Sequence, residues 1–115
     1  FMAECIEILK EQFLHDSATV KFYFAMNNKK KSGFVVKKDQ QFFVYLNECQ
    51  HLEVELDWQE NEFFEEEKKY IVCATHGALY EPSSGLCISG PCIGAYLKKI
   101  AYTETSDKII INLED

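Results

Sequence analysis

Apolar and polar residues alternate through much of the first half of the chain, and this two-residue period is the pattern of half-buried β-strands. The alternation is clearest in TVKFYFA, where Val20, Phe22 and Phe24 are separated by Lys21 and Tyr23. The pattern predicts strands over residues 19–25, 34–38 and 41–46. The polar residues between these strands predict turns over residues 27–33 and 38–40.

The two ends of the chain give less uniform patterns. Near the start, Ile6, Leu9 and Phe13 recur at a loosely helical spacing, while Ile-Glu-Ile at residues 6–8 alternates like a strand, so either element fits. Near the end, residues 96–104 and 108–114 predict two further strands, joined by a polar turn. Together the predicted strands favour an antiparallel β-structure.

Two short motifs carry the candidate chemistry. Cys49 and His51 form Cys-x-His after the predicted strand 41–46, and Cys73 and His76 form Cys-x-x-His after the short strand KYIVC. Thiolate and imidazole ligands suit zinc, copper, or iron with sulfide, so ligand type alone does not choose the metal. A tetrahedral zinc site that joins the two loops is therefore an alternative, although zinc ribbons favour paired Cys-x-x-Cys motifs, which are not seen here.

The two motifs and the Gly90-Pro91 turn that follows them resemble the Rieske 2Fe-2S family. The similarity extends to HLEVELDW and HGALYEPSSGLCISGPCIG, which look like segments of the small bacterial Rieske ferredoxins. The resemblance implies an all-β Rieske fold in a single domain, residues 1–115. Its basal part would be an antiparallel β-sandwich of residues 1–46 and 94–115, with an inserted cluster-binding subdomain at about residues 47–93.

The resemblance also implies the ligands of one 2Fe-2S cluster. Cys49 and Cys73 would bind one iron, and His51 and His76 the other, with sulfides bridging the two. The cluster would be surrounded by Leu52, Gly77, Ala78, Tyr80, Gly90 and Pro91. In the family, the tyrosine hydroxyl reaches a ligand thiolate, and the Gly-Pro loop covers the cluster.

Two substitutions relative to the high-potential respiratory members predict the reduction potential. Ala78 stands where those members have a serine that bonds a sulfide, and Val54 with Ala74 or Thr75 stands where they have a disulfide. Hydrogen bonds to the sulfurs set the potential of such clusters. We therefore expect a value near the low end of the Rieske range, at about −150 mV.

Composition limits the classes of partner. The net charge of −7 argues against nucleic acid, which needs a basic face, and favours a protein partner with a basic docking surface. No apolar run reaches the length of a membrane span, and the anchor of the respiratory Rieske subunits is not recognisable, so we expect a cytoplasmic protein. Five cysteines without a secretion signal predict reduced thiols rather than a disulfide framework.

Several other polar and aromatic residues are assigned structural roles. The carboxylates between the two motifs are predicted to lie in a solvated loop: Asp57, Glu60, Glu62, Glu65, Glu66 and Glu67. The aromatic residues Trp58, Phe63 and Phe64 are expected to pack this loop against the domain. Lysines 29–31 predict an exposed hairpin tip, Cys5 a packing cysteine and His15 a solvated histidine. Cys87 and Cys92 are expected to be a free, partly buried pair.

The function implied is one-electron transfer by a Rieske ferredoxin, with no catalytic residues of its own. Its redox partners, a reductase or an oxygenase or both, are expected to dock near His51 and His76. One alternative is a small Rieske subunit of a larger oxidoreductase complex, such as a ring-hydroxylating system or a nitrite reductase. Another alternative is a structural zinc-binding interaction module.

Overall fold

The computed structural model describes residues 4–26, 28–49, 54–57, 63–65, 67–73, 75 and 77–113. Within these ranges the chain is built from strands and one short 3-10 helix, so the predicted all-β fold is confirmed. The elements are β1 (Glu4–Leu9), the 3-10 helix (Lys10–Gln12), β2 (Thr19–Met26), β3 (Lys29–Lys38), β4 (Gln41–Leu46), β5 (Ile71–Val72), β6 (Leu79–Tyr80), β7 (Cys87–Ser89), β8 (Tyr102–Glu104) and β9 (Lys108–Leu113).

The strands form three antiparallel sheets of three strands each in the described part of the chain. Their orders are β1-β9-β8, β2-β3-β4 and β5-β6-β7. The first sheet joins the two ends of the chain, with Ile6 opposite Ile111 and Ile8 opposite Ile109. The second is a continuous meander whose strands are joined by short hairpins, because β2, β3 and β4 follow one another in sequence.

The β2-β3-β4 sheet lies between two hydrophobic cores, and β3 is buried on both of its faces. Val35 and its cross-strand partner Val44 pack with Ile109 and Ile111 of the first sheet. Phe34, next to Val35 in sequence, points to the other side and joins a second core that contains β5 and β6. Successive side chains of a strand face opposite sides, so this central strand connects the basal sandwich to the sheet that carries the candidate site.

The hairpin between β2 and β3 is tighter than the sequence predicted. Lys29 pairs with Met26, so only residues 27 and 28 lie between the strands, and Asn28 adopts a left-handed conformation with φ of 64°. The predicted turn over residues 27–33 was therefore wrong for residues 29–33, which extend β3. Lys29 and Lys30 are exposed, as expected, but Lys31 is half-buried and forms an ion pair with Glu48.

The predictions at the two ends met different outcomes. Residues 4–9 form a strand, which resolves the helix-or-strand ambiguity in favour of pairing with β9. The final strand is confirmed as β9, but the strand predicted over residues 96–104 was wrong except for β8. Within the described residues, Tyr96 and Lys99 form isolated bridges with Leu86 and Tyr45 respectively.

The aromatic residues before β5 pack as predicted. Phe63 and Phe64 are buried in the core of the candidate site, and the Phe63 ring stacks on Phe34 at a centroid distance of 4.2 Å. Trp58 lies outside the described residues. In the described part of the chain, no helix has the length and apolar character needed to cross a membrane.

Two predictions about polar side chains were wrong. Cys5 is exposed rather than packed, with Sγ 3.7 Å from Oδ1 of Asn112, whereas His15 is exposed as expected. Asp57 does not belong to a solvated loop, because its side chain is only 3% exposed and pairs with Lys21. Glu67 is exposed as predicted; Glu60, Glu62 and Glu66 lie outside the described residues.

Glu65 departs from the solvated-loop prediction in a different way. Its carboxylate accepts backbone N–H groups from Glu67, Lys69 and Tyr70 at 2.7–2.9 Å, and so fixes the turn that leads into β5. Partial burial opposes the charge, but the three N–H donors outweigh it and lower the pKa of this carboxyl below its usual value.

Candidate iron–sulfur site

The two predicted ligand cysteines are both buried at the ends of strands. Cys49 follows β4 by three residues and is 3% exposed, and Cys73 follows β5 directly and is fully buried. They belong to the same hydrophobic core, together with Tyr80, Cys87 and Cys92. Side chains at strand ends are positioned more precisely than side chains in free loops, so β4 and β5 fix the positions of Cys49 and Cys73.

Backbone hydrogen bonds shape the loop that each cysteine opens. The N–H of Cys49 donates to the carbonyl of Val54 at 2.8 Å, which closes the first loop. The N–H of Cys73 donates to the carbonyl of Ala78 at 2.9 Å, and the N–H of Gly77 donates to the carbonyl of Cys73 at 2.7 Å. Gly77 has a φ of 71°, a left-handed conformation that glycine adopts without strain. Backbone hydrogen bonds therefore join Cys49 and Cys73 to the described residues that follow each motif.

The hydroxyl of Tyr80 reaches the first of these thiols. Tyr80 is fully buried in β6, and its Oη lies 3.7 Å from Sγ of Cys49 and 3.1 Å from Sγ of Cys92. A buried thiolate needs hydrogen-bond donors, because burial without them penalises its charge. The Tyr80 hydroxyl is therefore within reach of the Cys49 thiol, and its role beside a ligand thiolate stays a prediction.

The Gly90-Pro91 turn lies directly over the second loop. Leu79 pairs with Ser89, and this pairing brings Gly90 against Ala78. A Cβ placed on Gly90 would be 2.7 Å from Cα of Ala78, so only glycine allows so close an approach. Ala78 is fully buried by this contact, whereas Pro91 is exposed.

A buried polar network holds the segment that follows the first motif. Asn47, directly after β4, accepts the N–H of Leu56 on its Oδ1 at 2.8 Å. Its Nδ2 donates to Oδ1 of Asp57 and to Oγ of Ser32, both at 3.1 Å. Residues 54–57 are thereby attached to the middle sheet, which fixes the far side of the first loop.

Lys21 completes this network from β2. Its ammonium lies 3.1 Å from Oδ2 of Asp57 and 3.2 Å from Oε1 of Glu55. Burial opposes the charge of Lys21, but the hydrogen bonds to the two carboxylates outweigh burial and raise the pKa of the ammonium above its usual value. No local pattern in the sequence indicates the network formed by Lys21, Asn47 and Asp57, since its members are far apart in sequence and of types that usually lie in solvent.

Cys87 and Cys92 form a close pair beside the predicted ligands. Both thiols are free and buried, and their sulfur atoms are 3.1 Å apart. Burial, reinforced by the contact with Cys92, raises the pKa of the Cys87 thiol to about 11. The prediction of a free pair is confirmed, and the pair is more deeply buried than expected.

The described residues fit a thiolate-bound cluster, and the histidines remain a prediction. Two buried thiols lie in one hydrophobic core, and a hydroxyl directed at one of them supplies the donor that a thiolate requires. His51, His76 and Leu52 lie outside the described residues, so their predicted roles stay predictions. Fold and site together define a small all-β protein with two buried cysteines that follow the strands β4 and β5 and share one core.

Comparisons with known proteins agree with this class. The family model of the Rieske [2Fe-2S] domain matches residues 10–104. No curated protein matches the sequence. Among solved structures, the chain is similar to the ferredoxin of carbazole 1,9a-dioxygenase from Nocardioides aromaticivorans IC177, with 18% identity and a TM-score of 0.61 over 91% of this chain and 95% of that one.

Two further solved structures are similar. The Sphingomonas yanoikuyae B1 ferredoxin has 19% identity and a TM-score of 0.59, over 90% of this chain and 94% of that one. A complex of reduced oxygenase and oxidised ferredoxin of carbazole 1,9a-dioxygenase contains a chain with 14% identity and a TM-score of 0.65, over 92% of this chain and 99% of that one. At these identities the likeness is one of fold.

The match of the family model over most of the chain decides the assignment. The chain belongs to the Rieske [2Fe-2S] domain family. Membership of this family implies a 2Fe-2S cluster of the Rieske type.

Proposed function

We propose that this chain is a one-electron carrier that holds a single Rieske cluster on Cys49, His51, Cys73 and His76 and delivers its electrons to an oxygenase. The observation that carries the proposal is the burial of Cys49 and Cys73 in one core, at the ends of β4 and β5. Two thiolates and two imidazoles are the ligand set of a Rieske centre. When bound, such a cluster supplies reversible one-electron chemistry at a potential set by its surroundings.

The protein's own residues would hold and shield this centre. Cys49 and Cys73 would ligate one iron, and the Tyr80 hydroxyl would donate to the Cys49 thiolate. Gly90, packed against Ala78, keeps the covering loop close to the second motif and limits access of water from that side. His51 and His76 would bind the other iron, with their outer ring nitrogens facing the partner.

An oxygenase is the favoured electron acceptor for two reasons. The similar solved structures include ferredoxins of carbazole 1,9a-dioxygenase, one of them in complex with its oxygenase. The exposed side chains beside the covering loop include Ile88 and Ile93, of which Ile93 is 69% exposed. Ile88 and Ile93 would form an apolar contact close to the cluster. Because the protein has a net charge of −7, a partner with basic residues around its contact surface would be complementary in charge.

Cysteine variants test the ligand assignment. Wild-type protein, Cys73→Ser and Cys5→Ser are produced with ample iron and sulfur, and their iron and acid-labile sulfide are measured per chain. Cys5 is the matched control because it is exposed and lies on β1. We expect equal iron and sulfide in the wild type and Cys5→Ser, and loss of most of both in Cys73→Ser. Zinc in place of iron in the wild type and in Cys5→Ser would support a structural zinc module instead.

Electron delivery is tested with the loaded wild-type protein. The protein is reduced, mixed without oxygen with an oxidised Rieske oxygenase that acts on aromatic rings, and its reoxidation is followed by absorbance. Reoxidation whose rate falls as salt is added would support a carrier that docks through complementary charges. No reoxidation by an active oxygenase would contradict the proposed acceptor, and stable co-purification with a catalytic subunit would favour an accessory subunit.

A further inference from the structure

Cys87 and Cys92 lie close enough to form a disulfide with little movement. Their sulfur atoms are 3.1 Å apart, and a disulfide requires about 2.05 Å, so the two atoms need to approach by about 1 Å. Neither cysteine is a predicted ligand. The family assignment gives this pair no role, and its closeness inside a packed core is the clearest unexplained feature of the described residues.

The backbone around the pair holds the two cysteines together. The N–H of Cys87 donates to the carbonyl of Ala95 at 2.8 Å, and the N–H of Gly94 donates to the carbonyl of Cys87 at 3.0 Å. The N–H of Ala95 donates to the carbonyl of Cys92 at 2.9 Å. The residues of the loop between the two cysteines are exposed, and Cys92 is 9% exposed against 1% for Cys87. Cys92 is therefore the thiol that a small molecule reaches first.

We propose that Cys87 and Cys92 are a redox modification site: they form an intramolecular disulfide with a low-molecular-weight disulfide as oxidant, and Tyr80 transmits this change to Cys49. The first part stands on the geometry of the pair alone. The second part rests on the proposed function, because it needs Cys49 to be a ligand thiolate.

The reaction is ordinary thiol–disulfide exchange and balances as follows. The thiolate of Cys92 attacks one sulfur of the small disulfide, forms a mixed disulfide and releases one small thiolate. Cys87 then loses its proton and attacks Sγ of Cys92, which forms the protein disulfide and releases a second small thiolate. The pair gives up two electrons and two protons in total, and these reside on the two small thiols that are produced.

Tyr80 connects this pair to the predicted cluster ligand. Its Oη lies 3.1 Å from Sγ of Cys92 and 3.7 Å from Sγ of Cys49. With a thiolate at Cys49, the hydroxyl donates to Cys49 and accepts the S–H of Cys92, which then turns from Cys87 to Tyr80. Hydrogen bonds in a chain strengthen one another, and a disulfide at Cys92 has no proton to donate. Oxidation of the pair therefore weakens the donor at Cys49 and lowers the cluster's reduction potential.

The first experiment tests the disulfide by itself. The full chain is equilibrated in buffers with increasing ratios of oxidised to reduced glutathione, quenched in acid, alkylated and mapped by mass spectrometry. We expect five alkylated cysteines in the reduced protein and an oxidised form in which only Cys87 and Cys92 are joined, with Cys5, Cys49 and Cys73 still alkylated. Glutathione adducts without a Cys87–Cys92 link, or a link between other cysteines, would overturn the proposal.

The second experiment tests the connection through Tyr80. The midpoint potential is measured in loaded wild-type protein with the pair reduced and oxidised, in Cys87→Ala, and in Tyr80→Phe. The potential should fall on oxidation of the wild type. Cys87→Ala keeps the contact between Cys92 and Tyr80 but cannot form the protein disulfide, so its potential should not respond to the oxidant in samples whose mass shows no glutathione adduct on Cys92.

Tyr80→Phe isolates the route of the effect. It should lower the potential and remove the response to oxidation while still forming the disulfide. An unchanged wild-type potential on oxidation, or a full response in Tyr80→Phe, would contradict the connection. Iron analysis of each sample separates this outcome from failure of the proposed function, since a chain that binds no iron has no potential to measure but still reports its disulfide by mass.

Discussion

Asn47 holds Leu56 by a hydrogen bond from the backbone N–H of Leu56 to the Asn47 Oδ1, at 2.8 Å. The two residues stand on either side of the first ligand motif, one at the end of β4 and the other in the segment after it. Since Asn47 is itself buried and also bonds Ser32 and Asp57, this one side chain ties the base of the first loop to the middle sheet.

Replacing Asn47 by leucine should destabilise the protein and loosen the first loop. The change leaves the N–H of Leu56 buried without its acceptor, which costs about 1–3 kcal/mol. We expect a loss of that size in the free energy of unfolding, measured with urea, and faster release of iron to a chelator. Asn112→Leu is the control, because Asn112 is exposed on β9 and should change stability by less than about 0.5 kcal/mol. Equal effects of the two variants would contradict the role given to Asn47.

Lys21→Met should also be strongly destabilising. The side chains of Lys21 and Asp57 are 7% and 3% exposed, and removing one member of a buried ion pair leaves the other charge uncompensated. We expect a loss near the lower end of about 3–5 kcal/mol, since Asn47 still donates to Asp57. The matched Lys108→Met removes an exposed ion pair with Glu7 and should change the stability little. If the two variants lost similar amounts of unfolding free energy, the result would contradict the burial of the pair between Lys21 and Asp57.

Alanine variants of Gly90 and Gly94 separate the effect of the contact between Gly90 and Ala78 from the effect of backbone strain. Their φ angles are 102° and 93°, so alanine is strained at both, but only at Gly90 does a Cβ meet the backbone of Ala78. Nothing lies within 4 Å of a Cβ at Gly94. Gly90→Ala should therefore release iron several-fold faster than Gly94→Ala under the same chelator. Equal rates would mean that strain in the loop, and not its contact with Ala78, controls access.

The Cys87 thiol should make stability depend on pH in the alkaline range. Burial, the largest cause, raises its pKa from 9.0 to about 11 in the folded protein. As the pH rises above 9, the unfolded thiol ionises first while the folded one stays neutral, so the stability contributed below pH 9 is lost through about pH 11. The unfolding free energy of wild type relative to Cys87→Ala, in the presence of a reductant, should decline through this window. A constant difference would contradict the raised pKa.

Ala78→Ser should raise the reduction potential of the loaded protein. The sequence predicts a wild-type value near the low end of the Rieske range, about −150 mV, because Ala78 provides no hydroxyl where the high-potential members have a serine. A redox titration of wild type and Ala78→Ser should give a higher potential for the variant. Ala95→Ser, at a half-buried position packed on the same core, should leave the potential unchanged. A wild-type potential far above that value would contradict the prediction.

The sequence predicted a strand correctly where the segment has a strand-like pattern and a neighbouring strand pairs with its whole length. The strand over residues 41–46 is predicted to the residue, since QFFVYL is rich in aromatic and β-branched residues and pairs along its whole length with β3. The segment 96–104 was predicted from its alternation of apolar and polar residues, but among the described residues it has isolated bridge partners before β8. An alternating sequence indicates on which face of a strand each side chain would lie. It does not indicate whether a neighbouring strand is there to pair with it.

The same limit explains the errors over charged residues. The sequence predicts a turn at Lys29 and Lys30 because lysine favours solvent. In the structure both residues belong to β3, at the exposed end of a hairpin. Asp57 reads as a solvated carboxylate, although Lys21, 36 residues away in sequence, pairs with it in a buried network. The two predicted ligand motifs are each local in sequence, whereas the contacts of Asn47, Lys21 and Cys92 with other parts of the site exist only after the chain has folded.

The most direct test of the central claim is the iron and acid-labile sulfide content of the wild-type protein, with an EPR spectrum after reduction by dithionite. If Cys49, His51, Cys73 and His76 hold a Rieske cluster, the protein contains about two irons and two sulfides per chain. The reduced spectrum then has the low average g value of a cluster with mixed histidine and cysteine ligands. Zinc without iron, or the spectrum of an all-cysteine cluster, from protein made with ample iron and sulfur would contradict the account.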